Sequence, residues 1–101
     1  MSYTISFHPL TKQDYDEAYA WYEDKKKGLG ERFMKAVRNK IEEITLHPET
    51  FGSRNNKSFK EAQVDFFPFL IVFKINKAKK EISISSVHHT KKHPRKKYRK
   101  D

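Results

Sequence analysis

Residues 65–89, DFFPFLIVFKINKAKKEISISSVHH, decide how the chain folds. Within them FPFLIVFKI (67–75) is apolar at both parities, the pattern of a central strand covered on both faces. EISISSVHH (81–89) alternates instead, with Ile82, Ile84, Ser86 and His88 at one parity and Ser83, Ser85, Val87 and His89 at the other. NKAKK (76–80) between them reads as a hairpin turn. Upstream, FKEAQVDF (59–66) alternates too, setting Ala62, Val64 and Phe66 on one face. Three strands therefore follow one another.

Towards the N-terminus the period changes. TKQDYDEAYAWYEDKKKG (11–28) has Thr11 and Asp14 at the spacing of a variant capping box, then Tyr15, Ala18, Tyr19 and Tyr22 as an apolar helical stripe. Trp21 flanks that stripe and is expected as buried or half-buried core rather than as a ligand platform. Gly28 ends this helix after Lys25, Lys26 and Lys27, cations that suit a helix C-terminus. LGERFMKAVRNKIEEITLHP (29–48) repeats the helical pattern with Phe33, Val37, Ile41 and Ile44 and stops at Pro48. So short a turn makes the two helices an antiparallel hairpin. Before them, YTISFHP (3–9) reads as a short strand stopped by Pro9. The expected fold is α+β, in the order β-α-α-β-β-β. Its helical hairpin packs on one face of a small, mostly antiparallel four-stranded sheet, whose other face is left partly open.

A chain of 101 residues makes one domain, 1–101, with a basic C-terminal tail at 91–101. Of 22 basic side chains, the last eleven positions hold seven against one acid, while the first ninety hold fifteen against twelve. The formal net charge of +9 is thus concentrated at one end, and an anionic partner is expected. The absence of cysteine excludes disulfides, thiolate nucleophiles and thiolate zinc sites, and fits a reducing cytoplasm. No apolar run approaches the roughly 18 residues of a membrane span, and MSYTISFHPL (1–10) lacks the basic start and apolar stretch of a signal peptide, so an intracellular protein is expected.

No Gly-rich phosphate loop, nucleophile elbow or helical His pair is present, so no cofactor is expected. His88 and His89 are neighbours on a strand and point to opposite faces, which excludes joint chelation; no metal site is expected. Alternation puts His89 on the face opposite Ile82 and Ile84, the open side of the sheet. Lys60 starts its strand, where a twist or bulge decides its face. Should Lys60 join His89, Lys91, Lys92 and Arg95, the open side becomes a concave basic surface with one group titrating near neutrality. Tyr98, set among Arg95, Lys96, Lys97 and Arg99, combines cation and aromatic as single-strand binders do, although a Tyr folded back on the core satisfies the same sequence.

The succession FHP, AYAWYED, GLGERFMKAV, EEITLHPETFG, DFFPFLIVFKI and SVHHTKKHP resembles the RelE/ParE superfamily of bacterial type II toxin–antitoxin toxins over essentially the whole chain. That resemblance implies a cytoplasmic toxin of a plasmid-stabilisation type module, bound and neutralised by a cognate antitoxin in a hetero-oligomer. ParE-like members inhibit DNA gyrase, and RelE-like members cleave mRNA on the ribosome without a metal. His89, Lys92 and Pro94 stand where the family pattern has His, Arg and Pro, and Lys60 where Arg is frequent. Lysine keeps the charge but loses the planar bidentate grip on phosphate. The resemblance thus implies Lys60, His89, Lys92 and Arg95 as catalytic residues if the chain is a nuclease. Lys91, Lys92, Arg95, Lys96, Lys97, Tyr98 and Arg99 would then be the surface for antitoxin or target. The long second helix and the FPF element lean towards the ParE-like, gyrase-directed side. A ribosome-dependent endoribonuclease and a degenerate, non-toxic member are the alternatives.

Overall fold

A computed structural model describes residues 3–53, 57–91 and 98 of the chain. The elements are β1 (Thr4–Phe7), α1 (Thr11–Lys25), α2 (Leu29–Leu46), a 3-10 turn (Pro48–Thr50), β2 (Lys60–Gln63), β3 (Phe69–Asn76) and β4 (Glu81–His89). The sheet order is β1-β4-β3-β2; β1 runs parallel to β4 and the other pairs are antiparallel. The expected α+β order and helix-on-sheet arrangement are therefore present. None of the described helices is long and apolar enough to cross a membrane.

The helices bury the stripes their spacing announces. Phe33, Val37 and Ile44 of α2 and Ala18 and Tyr22 of α1 meet Ile71, Phe73, Ile82 and Ile84 of the sheet in one core. Tyr22, Phe33, Phe67 and Phe69 form its aromatic centre, with ring centroids 5.0–6.1 Å apart and mostly edge to face. The tight α1–α2 turn rests on two glycines. Gly28 takes φ 90°, the left-handed region, and a Cβ on Gly30 would stand 2.9 Å from the Tyr19 carbonyl oxygen. Glu23 of α1 reaches across the turn, its carboxylate accepting the backbone N–H groups of Gly28 (2.9 Å) and Gly30 (3.0 Å). This satisfies donors that the start of α2 leaves open and places a negative charge where the helix dipole favours it.

The expected capping box is absent. Leu10 holds the N-cap position of α1 without a side-chain cap bond, and Thr11 is already helical and buried. Thr11 Oγ1 instead lies 3.3 Å from the Ile84 carbonyl and 3.1 Å from that of Ser85, and Asp14 accepts the backbone N–H of Val87 at 3.2 Å. Both polar side chains tie α1 to β4 where the strand is irregular. Val72 pairs with Ser86 but Phe73 pairs with Ile84, so Ser85 is an extra residue, a β-bulge.

The bulge corrects the alternation reading. Beyond Ser85 the parity inverts: Val87 joins Ile82 and Ile84 in the helix-side core, and His89, paired with Phe69, faces the same side. Ser86 and His88, paired with Val72 and Leu70, turn to the opposite face and are buried there. That face is not open either. Phe59, Leu70 and Val72 form a second cluster on it, and Tyr98 packs on Phe59 with ring centroids 5.1 Å apart while its hydroxyl donates to the Glu61 carboxylate. A second correction concerns Phe66. Because β2 ends at Gln63, Phe66 leaves the face of Ala62 and Val64 and stands almost wholly exposed.

Candidate functional site

The groove beside His89 is built by one row of α1 and the adjoining ends of β3 and β4. Asp14, Glu17, Ala18 and Trp21 recur at i, i+3, i+4 and i+7 and so share one helix face, next to the apolar stripe. Opposite them stand Phe69, Val87, His89 and Lys91, enclosing about 400 Å³. His89 is half-buried, its ring edge-on to Phe69 at 5.0 Å, and its Nδ1 accepts the backbone N–H of Lys91 at 3.1 Å. That bond assigns the proton of the neutral ring to Nε2 and fixes the imidazole in place. Burial pushes the Tyr22 phenol above its ordinary range, so its hydroxyl stays protonated at neutral pH and well above it.

Trp21, expected to be buried or half-buried core, is instead 58% exposed at the rim of the groove, because its helical row faces the groove and not the sheet. Lys25, one turn later, sets its ammonium 4.9 Å from the centre of the indole, and Tyr22 packs edge-on at 5.1 Å. The groove is electrostatically mixed. Two carboxylates, Asp14 and Glu17, face one lysine and one histidine.

Lys60 does not enter this site. It pairs with Phe73 while His89 pairs with Phe69, so the two lie on the same sheet face but four positions apart along β3. At strand spacing that is roughly 13 Å along the sheet and about 10 Å across it. The Lys60 ammonium is occupied elsewhere, donating to the Phe51 carbonyl at 2.7 Å. Tyr98 lies on the opposite face of the sheet. Lys92, Arg95, Lys96, Lys97 and Arg99 fall outside the described residues. Of the residues singled out from sequence, the structure thus brings His89 and Lys91 together. Reasoning from sequence missed Asp14, Glu17 and Trp21, whose shared helical row was the signal that marks them. Among the described residues, no group of three or more His, Cys, Asp or Glu is placed to hold a metal ion.

Residues 5–94 match the family model described as ParE toxin of type II toxin-antitoxin system, parDE. Among solved structures, a double-arginine mutant of the E. coli toxin RelE in the free state is similar at a TM-score of 0.67 and 15% identity, over 90% of this chain and 86% of that one. The Mycobacterium tuberculosis toxin–antitoxin complex RelBE2 gives 0.65 and 17%, over 88% and 99%. The chromosomal ParDE system of P. aeruginosa gives 0.66 and 18%, over 89% and 98%. At these identities the structural likeness is one of fold. No curated protein sequence matches the chain significantly.

Proposed function

This chain belongs to the ParE toxin family of type II toxin–antitoxin systems, and from that premise we propose that it acts in the cytoplasm on a protein target, DNA gyrase, rather than on RNA. As a type II toxin it has a cognate antitoxin as its partner. The choice of target rests on one observation, the separation of Lys60 from His89. Metal-free RNA cleavage needs several cations converging on one phosphate, with a proton-transfer group in hydrogen-bond reach. Here Lys60 is tethered to the Phe51 carbonyl at a distance from His89, and the groove that does hold His89 carries Asp14 and Glu17. Like charges at close range disfavour a phosphodiester there.

Induction of the chain without its antitoxin, followed in parallel by DNA supercoiling with purified gyrase and by mRNA integrity in a translating extract, tests this reading. Inhibited supercoiling with intact messages is the expected result. Cleaved messages would reverse it and return His89, Lys92 and Arg95 to the role of a nuclease site. His89→Ala sharpens the contrast: a binding inhibitor keeps its potency within about twofold, whereas a nuclease using that imidazole loses about 10²-fold or more in rate.

A further inference from the structure

Phe66 occupies the tip of the β2–β3 turn, 98% exposed and with φ at 69°, in the left-handed region. Both features disfavour phenylalanine. The backbone there suits glycine or asparagine, and a bare phenyl ring forfeits all the burial it was capable of. Yet the turn that carries it is firmly held. The Gln63 side-chain amide donates to the Phe67 carbonyl at 2.8 Å, the Val64 N–H donates to the Phe69 carbonyl at 2.9 Å, and Lys40 pairs with Asp65 at 3.4 Å. The Phe67 ring is locked between Tyr22 and Phe33 at 5.0 and 5.3 Å. A rigid frame thus points one apolar side chain into solvent, the signature of strain retained for use.

Its surroundings carry more positive than negative charge, Arg32 and Lys35 against Asp65. Beside Phe66 runs a groove of about 600 Å³ against α2, where Leu29 and Ala36 form the floor and Arg32 and Lys35 the rim. Both cations are exposed and neither forms an ion pair among the described residues, whereas the neighbouring Asp65 is engaged by Lys40. Lys26 and Lys27 follow the end of α1, just beyond Tyr22, whose ring touches Phe67. We propose that Phe66, flanked by Arg32 and Lys35, is the anchor of a docking surface for an acidic protein partner, the ring entering an apolar socket rimmed by carboxylates. A single knob on a turn tip fits a protein socket better than it fits nucleobases, which stack on aromatic platforms. The basic rim supplies steering and register. The partner class rests on the protein-target reading above.

Purified wild-type chain and Phe66→Gly are compared for binding to purified gyrase, for growth arrest on induction and for thermal unfolding. Glycine removes the ring and relieves the backbone, so Phe66→Gly unfolds at the same or a higher temperature while losing about tenfold or more in affinity and in arrest. A purely structural ring would move stability and binding down together. Arg32→Glu with Lys35→Glu produces the same loss without unfolding. If Phe66→Gly binds and arrests like the wild type, the proposal is overturned. Should the wild type arrest growth without binding gyrase, and Phe66→Gly abolish the arrest, the docking surface stands and the gyrase reading falls. A wild type that neither arrests nor binds sinks both. Loss of binding to a labelled single-stranded RNA oligonucleotide in parallel with loss of arrest assigns the surface to RNA and overturns the protein partner.

Discussion

The Oγ1 of Thr11 stands 3.1 Å from the carbonyl oxygen of Ser85, the extra residue of the β4 bulge. This contact joins the first turn of α1 to the point where the sheet loses its regular ladder. Ile84, whose carbonyl also lies 3.3 Å from the Thr11 hydroxyl, accepts the N–H of His8, the residue after β1, at 2.8 Å. Two segments distant in sequence, residues 8–11 and 84–85, thus meet at one irregularity, and the side chains beyond it, His88 and His89, take their faces from it.

Removing the Thr11 hydroxyl at constant shape should weaken the fold. Thr11 is buried, so Thr11→Val withdraws a donor from carbonyls that water does not easily reach. The expected cost is about 1–3 kcal/mol. Urea unfolding measures it, and an unchanged midpoint would show that the bulge is held by the β-ladder alone.

Gly30→Ala should destabilise more than Gly28→Ala. At Gly30 the added methyl meets the Tyr19 carbonyl, which belongs to the packed α1 backbone and cannot easily withdraw; about 1–3 kcal/mol is expected. At Gly28 nothing lies within 4 Å, and only the left-handed φ resists, at about 1 kcal/mol. Thermal unfolding of the two variants orders them, and the reverse order would contradict the close approach of α1 and α2.

Tyr98 closes the face of the sheet opposite the helices. Tyr98→Phe keeps the ring on Phe59 and loses only the bond to the Glu61 carboxylate, at an expected cost of about 1–2 kcal/mol. Tyr98→Ala also uncovers Phe59 and should cost about 1 kcal/mol more. Denaturant titration separates the steps, and a silent Tyr98→Ala would mean that the contact is incidental.

Glu49 and Lys77 form a surface pair at 2.7 Å. The hydrogen bond from Lys77 holds the Glu49 carboxyl below its ordinary range, and the same bond raises the Lys77 amine. A depressed carboxyl stabilises the fold above its unfolded value, about pH 4, and that contribution disappears as pH falls through the folded value. A raised amine contributes below its unfolded value, about pH 10, and loses that contribution on further alkalinisation. Glu49→Gln should therefore lower the urea midpoint slightly at neutral pH. It should have no effect in strong acid and a smaller effect at high salt. An equal effect at all pH values would exclude the charge pair as its origin.

Element types and their order were legible locally. The helical stripes of Phe33, Val37 and Ile44 and of Ala18 and Tyr22, the two-sided apolar run of β3 and the NKAKK turn all behave as their periods imply. The reading lost its accuracy where a face had to be assigned across an irregularity. Trp21 shares a helical row with Asp14 and Glu17, and that row meets the groove rather than the core. The Glu61–Tyr98 bond spans 37 positions, and no local pattern announces it.

By itself the amino-acid sequence determined the α+β order, the buried stripes and the concentration of positive charge towards the C-terminus, because each follows from short-range periodicity or composition. Only the tertiary structure decided that His89 faces the helices and His88 the opposite cluster. A strand's parity counts from its partner's register, and one unpaired residue at Ser85, held by a hydroxyl seventy-four positions away, reverses every side chain after it.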